Sequence, residues 1–213
     1  MPWYRPHDLL RVRDVDALLA DAAPAWTRAS LTRAPWVVVC RAEAPAGQVA
    51  VGVRGRARHE RHALFLPVSG VETVAAPESL RAPPAPAAGE VPAMRALRAC
   101  RRILADGLCW GPTGSVGFEL ATGRATVTAA SDLDLVIRRS ALPSSRWAAD
   151  LLVQLAELPA RVDCQLDTPG GAVALVELAA GPDTIVLRTS AGPELVSLRA
   201  ARSDTATGPG RSP

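Results

Sequence analysis

The chain has 213 residues, 48% hydrophobic and 21% charged, which suffices for one large domain or two small ones and excludes a disordered or coiled-coil chain. All 24 cationic side chains are arginine, which excludes the lysine-dependent chemistry of Walker-A loops, pyridoxal Schiff bases and protein kinases. The formal charge is only +3 and aromatic residues make up 4%, so a nucleic-acid-binding platform is not indicated.

The N-terminal segment has no apolar signal-peptide core, and no apolar run reaches the ~18 residues of a membrane span. These features predict a cytoplasmic protein. No two cysteines have the C-x₂-C spacing of a zinc site, so we expect buried, reduced thiols. The four cysteines are Cys40, Cys100, Cys109 and Cys164.

The sequence predicts an α+β protein with a small α/β unit over residues 1–75. A helix is predicted over residues 14–23, where apolar side chains share one face. Strands are predicted over residues 36–40, 48–54 and 63–68. A Pro/Ala-rich linker over residues 76–93 separates this unit from the rest of the chain.

A second domain is predicted over residues 94–202, with a short mixed sheet and flanking helices. A disordered tail is predicted over residues 203–213. The predicted helices run over residues 94–106 and from Ser144 or Ser145 to residue 158. Strands are predicted over residues 108–110, 132–138, 161–167 and 184–188, whereas residues 175–178 are ambiguous.

A glycine-serine turn and an acidic strand follow the strand at residues 108–110. Asp132 and Asp134 lie at i and i+2 of DLDLVIR, so both carboxylates are on one face of the strand. Paired carboxylates repel each other unless a cation lies between them, and oxygen ligands suit Mg²⁺ bound together with substrate phosphates. In RVDCQLD, Asp163 and Asp167 share one face and offer a third carboxylate.

The order of these motifs resembles the DNA polymerase-β-like nucleotidyltransferase superfamily. Gly114 and Ser115 match its Gly-Ser turn, Asp132 and Asp134 match its paired aspartates, and Asp163 is the best third match, with Asp167 in reserve. The gap between Ser115 and Asp132 is several residues longer than usual in that superfamily.

The run GPTGSVGFELATG…SDLDLVIR further resembles the malonate decarboxylase holo-acyl-carrier-protein synthase family, also called phosphoribosyl-dephospho-CoA transferase. The segments RPHDLL (residues 5–10), VGVRG (residues 51–55) and TPGG (residues 168–171) extend the likeness over most of residues 1–200. The resemblance implies transfer of phosphoribosyl-dephospho-CoA from its triphosphate donor to a carrier-protein serine, with release of pyrophosphate.

The same resemblance implies roles for the matched residues. Asp132 and Asp134 would hold one or two Mg²⁺ ions, and Asp163 would bind a metal ion or accept the proton of the serine. The backbone at Gly114 and the hydroxyl of Ser115 would hold the outgoing pyrophosphate. The apo acyl-carrier-protein subunit of malonate decarboxylase would be the protein partner.

Arginines in RGRARHERH, after the strand at residues 48–54, suggest a second part of the site. We expect Arg54, Arg56 and Arg58 to contact phosphate, dephospho-CoA or an acidic carrier surface, although a solvated basic loop is an equal alternative. Arg138, at the end of the aspartate strand, is a further candidate for phosphate binding, with an ordinary surface cation as an equal alternative. His59 and His62 lack a third metal ligand, and His7 is expected to be structural.

Two other functions compete with the carrier-protein transferase. An ATP-dependent nucleotidyltransferase would keep the second domain but would not explain residues 1–75. A non-catalytic module that binds a nucleotide or carrier protein would be favoured by loss of Asp132 or Asp134, and both are present.

Overall fold

The computed structural model describes residues 4–19, 23–55, 57, 59–85, 90–104 and 107–204. It confirms the α+β class: helices pack on two separate sheets, one of five strands and one of six. Among the described residues, no helix is long and apolar enough to cross a membrane.

The first sheet, here called the N-terminal sheet, is antiparallel throughout, with strand order β4-β3-β2-β1-β5. Its core is formed by apolar side chains of the strands, among them Leu10, Val51 and Leu66, which pack on Leu31 of a helix. The elements are β1 (Leu9–Val12), α1 (Val15–Leu18), α2 (Ala25–Arg33), β2 (Trp36–Val39), β3 (Gln48–Arg54), β4 (Arg61–Pro67) and β5 (Val71–Ala75).

The second sheet, here called the C-terminal sheet, has the order β11-β10-β9-β8-β7-β6, in which only β7 and β8 are parallel. The helix α5 connects these two strands. The elements are α3 (Pro92–Ile103), β6 (Cys109–Pro112), α4 (Gly114–Thr122), β7 (Leu133–Arg138), α5 (Ser145–Ala156), β8 (Val162–Thr168), β9 (Gly171–Ala174), α6 (Leu175–Ala180), β10 (Thr184–Thr189), β11 (Gly192–Ser197) and α7 (Leu198–Asp204).

Alternation along β7 divides the C-terminal sheet into two faces. Leu133, Leu135 and Ile137 belong to the hydrophobic core that α3 and α5 complete. The other face, here called the polar face, carries Asp134 and Arg138 on β7. It also carries Asp163, Gln165 and Asp167 on β8, because paired residues of parallel neighbours point the same way.

The N-terminal unit packs against this polar face. A 3-10 turn over Pro77–Leu80 lies so close to Gly111 of β6 that a side chain at Gly111 would overlap the backbone of Pro77. Arg41, beyond β2, reaches Asp167 of β8 with its Nη2 2.6 Å from Oδ1. The N-terminal unit therefore covers the end of the polar face that carries Arg138 and Asp167, whereas Asp163 at the other end is exposed.

Several predicted elements are found at or near their expected positions. The strand predicted over residues 48–54 coincides with β3, and the long helices over residues 94–106 and 145–158 correspond to α3 and α5. The ambiguous segment 175–178 is helical, as part of α6. Residues 86–89 of the predicted linker and 205–213 of the predicted tail lie outside the described residues.

Two predictions about local structure are wrong. The predicted helix over residues 14–23 is only the four-residue α1, residues 20–22 lie outside the described part, and the longer α2 follows after Pro24. The predicted glycine-serine turn is the beginning of α4. The predicted linker stays a prediction, and a 3-10 turn and the first residues of α3 lie within it.

Candidate active site

The parallel pairing of β7 and β8 brings the predicted carboxylates together. Asp134 is directly opposite Asp163, on strands about 4.8 Å apart, and Asp132 precedes β7 at the same end of the sheet. Asp134 is half-buried, whereas Asp132 and Asp163 are exposed. The three carboxylates form a cluster at the exposed end of the polar face.

The charge of this cluster is only partly compensated by the protein. Burial raises the pKa of Asp134, and repulsion from Asp163 and Asp132 raises it further. The positive charges of Arg54 and Arg161 act in the opposite direction without cancelling the effect. A site that holds carboxylates in this way favours a cation among them.

The start of α4 is pressed against Asp134. The backbone N–H of Thr113 donates to the carbonyl oxygen of Asp134 at 2.8 Å. Gly114 has a φ of 57°, and a side chain there would overlap the carboxylate of Asp134. Only glycine permits this approach. The first N–H groups of a helix lack intrahelical acceptors and attract anions, so a phosphate bound there would lie beside the carboxylates.

The helix α4 also explains the long gap between Ser115 and Asp132. The residues that fill the gap form the body of the helix and a loop tied back to it. The carboxylate of Glu119 accepts the backbone N–H groups of Thr126 and Val127 at 2.6 and 2.8 Å, and the carbonyl of Ser115 accepts the hydroxyl of Thr126 at 3.0 Å. Ser115 therefore lies in the first turn of a braced helix.

The donor set fits a magnesium ion shared with a substrate. Mg²⁺ is commonly held by one or two carboxylates together with phosphate oxygens and water, and Asp132 and Asp134 supply such a pair. Within the described ranges, no three His, Cys, Asp or Glu side chains converge into a complete metal site. Asp163 lies near the pair but does not close a three-carboxylate ligand set with it.

One arginine of the predicted basic cluster reaches the carboxylates from the N-terminal sheet. Arg54 ends β3, pairs with Arg61 of β4, and lies close enough to Asp134 to lower its pKa. The loop beyond is closed by Glu60, whose backbone and carboxylate bond to Gly55 and Ala57. Arg56 and Arg58 lie outside the described residues.

Arg138 occupies a different position from the one predicted for a phosphate ligand. Its Nη1 donates to Glu78 at 3.0 Å, and its Nη2 donates to the carbonyl of Pro6 at 2.6 Å and to Asp8 at 3.1 Å. Its Nε lies 3.6 Å from Asp167. The side chain is 8% exposed. This geometry favours a contact between the two units over a contact with phosphate.

Two residues near the site were not expected to be there. His7 has a φ of 73°, and its imidazole shares a hydrogen bond with Gln165, between Asp163 and Asp167 on β8. Arg161 precedes β8 and contacts Asp132. Because side chains alternate along β8, Arg161 lies on the same face as Asp163, and its place near the carboxylates could have been predicted from the sequence. The positive φ of His7 could not have been predicted in this way.

The four cysteines are free thiols. Burial raises the pKa of Cys100 to about 12 and also raises that of Cys164. The Cys109 thiol donates to Glu78 at 2.9 Å, beside Arg138. Buried, protonated thiols are poor nucleophiles, so the chemistry of the site is left to the carboxylates.

Comparisons with known proteins match both parts of the chain. The family models "Phosphoribosyl-dephospho-CoA transferase MdcG N-terminal domain" and "C-terminal domain" match residues 5–77 and 79–199. Two proteins named phosphoribosyl-dephospho-CoA transferase, from Pseudomonas syringae pv. tomato and Pseudomonas putida, are 45% and 43% identical to this chain. These alignments cover 90% and 91% of this chain and 91% and 93% of the relatives. No solved structure matches significantly, so the polymerase-β-like fold stays a prediction.

Proposed function

The chain belongs to the phosphoribosyl-dephospho-CoA transferase family and is a transferase, and from this premise we propose its donor, acceptor and chemistry. The donor is 2′-(5″-triphosphoribosyl)-3′-dephospho-CoA, and the acceptor is a serine of the apo acyl-carrier-protein subunit of malonate decarboxylase. The observation that carries the proposal is the cluster of Asp132, Asp134 and Asp163 against the start of α4. It supports chemistry on a phosphate chain.

In this reaction the serine oxygen bonds to the α-phosphorus of the donor, and the bond from that phosphorus to pyrophosphate breaks. The start of α4 would hold the outgoing pyrophosphate with its free N–H groups and the Ser115 hydroxyl. Gly114 allows the phosphates to lie close to Asp134. Catalysis of this type depends mainly on positioning and on neutralisation of charge.

Asp132 and Asp134 would hold Mg²⁺ with the phosphate oxygens, as the chemistry of this carboxylate pair supports. The ion, when bound, supplies neutralisation of the phosphate charge. Asp163 is exposed and lies across from Asp134. We assign Asp163 the proton of the attacking serine hydroxyl, because that carboxylate is free to face an incoming carrier protein.

Arg54 would contact the donor from the N-terminal sheet. Its guanidinium lies within electrostatic range of Asp134 and belongs to a different unit from the carboxylates. A donor bound at the carboxylates would therefore contact both units. This arrangement supports a need for residues 1–75, which a minimal nucleotidyltransferase would not have.

The test is the intact mass of the apo carrier subunit after incubation with this protein, Mg²⁺ and the triphosphoribosyl donor. We expect a mass gain equal to phosphoribosyl-dephospho-CoA, abolished by EDTA and by Asp132→Asn or Asp134→Asn. Asp150→Asn, an exposed carboxylate on α5, is the matched control and should leave transfer intact.

A parallel tube with ATP separates the alternatives. A gain of nucleoside monophosphate with ATP alone would replace the proposed donor with a nucleotide. No gain in either tube, with folded protein, would contradict the proposed transfer and favour a non-catalytic module.

A further inference from the structure

The backbone of Arg161 is held by a hydrogen bond to β7, whereas its side chain is largely exposed. Its carbonyl oxygen accepts the N–H of Leu133 at 2.9 Å, which places its Cα beside Asp132 where β7 and β8 begin. Its side chain is 75% exposed, and Nη1 lies 3.9 Å from Oδ2 of Asp132. An exposed cation therefore lies at the exposed end of the polar face, next to a proposed metal ligand.

The contact between Arg161 and Asp132 is weak. Its distance is at the limit of an ion pair, both side chains are at least half exposed, and such pairs contribute little to stability. Arg41 differs, since it lies 2.6 Å from Asp167 with both side chains largely buried. Separation of Arg161 from Asp132 costs little free energy, whereas Arg41 is held in place.

Mg²⁺ bound to Asp132 would neutralise much of the carboxylate charge that attracts Arg161, and would so weaken the contact between the two side chains. Once displaced, the guanidinium would have the donor triphosphate as its nearest anion. Arginine binds phosphate oxygens through two parallel N–H groups. The contact of Arg161 with Asp132, at 3.9 Å, does not have this geometry.

We propose that Arg161 exchanges Asp132 for the triphosphate of the donor when metal and donor bind, and so positions the leaving phosphates. The inference rests on the proposed function for the identity of the donor. It assigns Arg161 to the β8 side of the phosphate chain, with the start of α4 and Arg54 as the other proposed phosphate contacts. Arg161 is thus a binding residue that pairs with a carboxylate only while the site is empty.

The test uses the full chain and inorganic pyrophosphate, the proposed product. Calorimetry measures the binding of Mg²⁺ alone and of pyrophosphate at saturating Mg²⁺, for the wild type, Arg161→Gln, Arg161→Lys and Arg146→Gln. Arg146 is an exposed arginine of α5, on the core side of the sheet, and controls for loss of one positive charge.

We expect Arg161→Gln to weaken pyrophosphate binding about tenfold or more, in line with loss of a charge-assisted phosphate contact. Mg²⁺ alone should bind this variant as tightly as the wild type or more tightly, because Asp132 has lost its competitor. The pyrophosphate affinity of Arg161→Lys should lie between those of the wild type and Arg161→Gln. The affinity of Arg146→Gln should match that of the wild type.

Two results would overturn the inference: unchanged pyrophosphate affinity in Arg161→Gln, or no binding of Mg²⁺-pyrophosphate by the wild type. The proposed function fails differently. If pyrophosphate binding depends on Arg161 but the carrier subunit gains no mass, Arg161 keeps its role and the donor or acceptor is wrong.

Discussion

Arg138 and Asp8 form a buried ion pair that joins the two sheets, with Nη2 3.1 Å from Oδ1. Asp8 precedes β1 of the N-terminal sheet, and Arg138 ends β7, the strand that carries Asp134 at its other end. Glu78 and Asp167 lie around the same guanidinium. A strand that bears the candidate carboxylates is thus anchored to the other unit at its far end.

Arg138→Gln should lower the free energy of unfolding by about 3–5 kcal/mol, because it leaves buried carboxylates without their cation. Chemical denaturation measures this change. Arg139→Gln is the matched control: the adjacent guanidinium packs over the ring of Trp147 at 5.1 Å, a contact of about 0.5–1 kcal/mol. Equal losses for the two variants would refute the special role of Arg138.

Gly114→Ala should abolish transfer while the chain still folds. The added methyl group would displace the carboxylate of Asp134, and a φ of 57° is strained for alanine, so we expect at least about a 100-fold loss of rate and about 1–3 kcal/mol of stability.

Gly123→Ala is the control at the other end of α4. Gly123 has a φ of 67°, but nothing lies within 4 Å of an added side chain. It should cost about 1 kcal/mol of stability with activity retained. Equal activity in the two variants, measured by carrier mass shift, would show that the approach to Asp134 has no catalytic importance.

The sequence predicted best what depends on local alternation. The period of two predicted which residues of β8 share a face with Asp163, and the parallel pairing of β7 with β8, seen only in the structure, sets Asp163 opposite Asp134. The α4 helix was missed because GPTGSVG contains three glycines, which favour a turn. Glycine is used there for close approach: Gly117 lies against the carbonyl of Pro112, and Gly114 lies against Asp134.

Contacts between the units could not be predicted from local pattern. Arg138 was expected to bind phosphate because it ends the aspartate strand, yet its acceptors come from Pro6, Asp8 and Glu78, more than 50 residues away in the chain. The alternation of residues along a strand does not show which end of that strand another unit of the protein will cover. Arg54 lies close enough to Asp134 to lower its pKa, and its position after a strand, with the phosphate-binding chemistry of arginine, was the reason to expect it at the site.

His7 should make stability depend on pH. Burial lowers its pKa, Asp167 opposes this, and the charges of Arg41 and Arg138 lower it further. Since the pKa in the folded state lies below the ordinary 6.5 of the unfolded chain, the neutral imidazole stabilises the fold above about pH 6.5. That stability is lost as pH falls through the lowered value.

We expect His7→Asn to reduce the loss of stability between pH 7 and about pH 5.5, measured as the shift in urea midpoint. Among residues that keep a side chain, asparagine is one of the few that tolerate the positive φ of this position. His59→Asn, at an exposed position, should keep the wild-type slope. An unchanged slope in His7→Asn would assign the pH dependence to other groups.

Asp134→Asn should raise the stability of the metal-free protein at pH 7 while it abolishes transfer. Burial and repulsion from Asp163 raise the pKa of Asp134, so the folded state favours the protonated carboxyl. The corresponding stability is present below the ordinary pKa of 3.8 and is lost as pH rises through the raised value. At pH 7 the ionised carboxylate therefore destabilises the fold, and the amide removes that cost.

Thermal unfolding with and without Mg²⁺ checks this prediction. Without the ion, Asp134→Asn should unfold at a higher temperature than the wild type at pH 7, and the difference should vanish near pH 3. Mg²⁺ should raise the midpoint of the wild type and leave that of the variant nearly unchanged, because only the wild type retains the carboxylate pair. The prediction would be contradicted if Asp134→Asn were less stable than the wild type in EDTA at pH 7. The ionised Asp134 carboxylate would then stabilise the fold, and its repulsion from neighbouring carboxylates would not indicate a metal site.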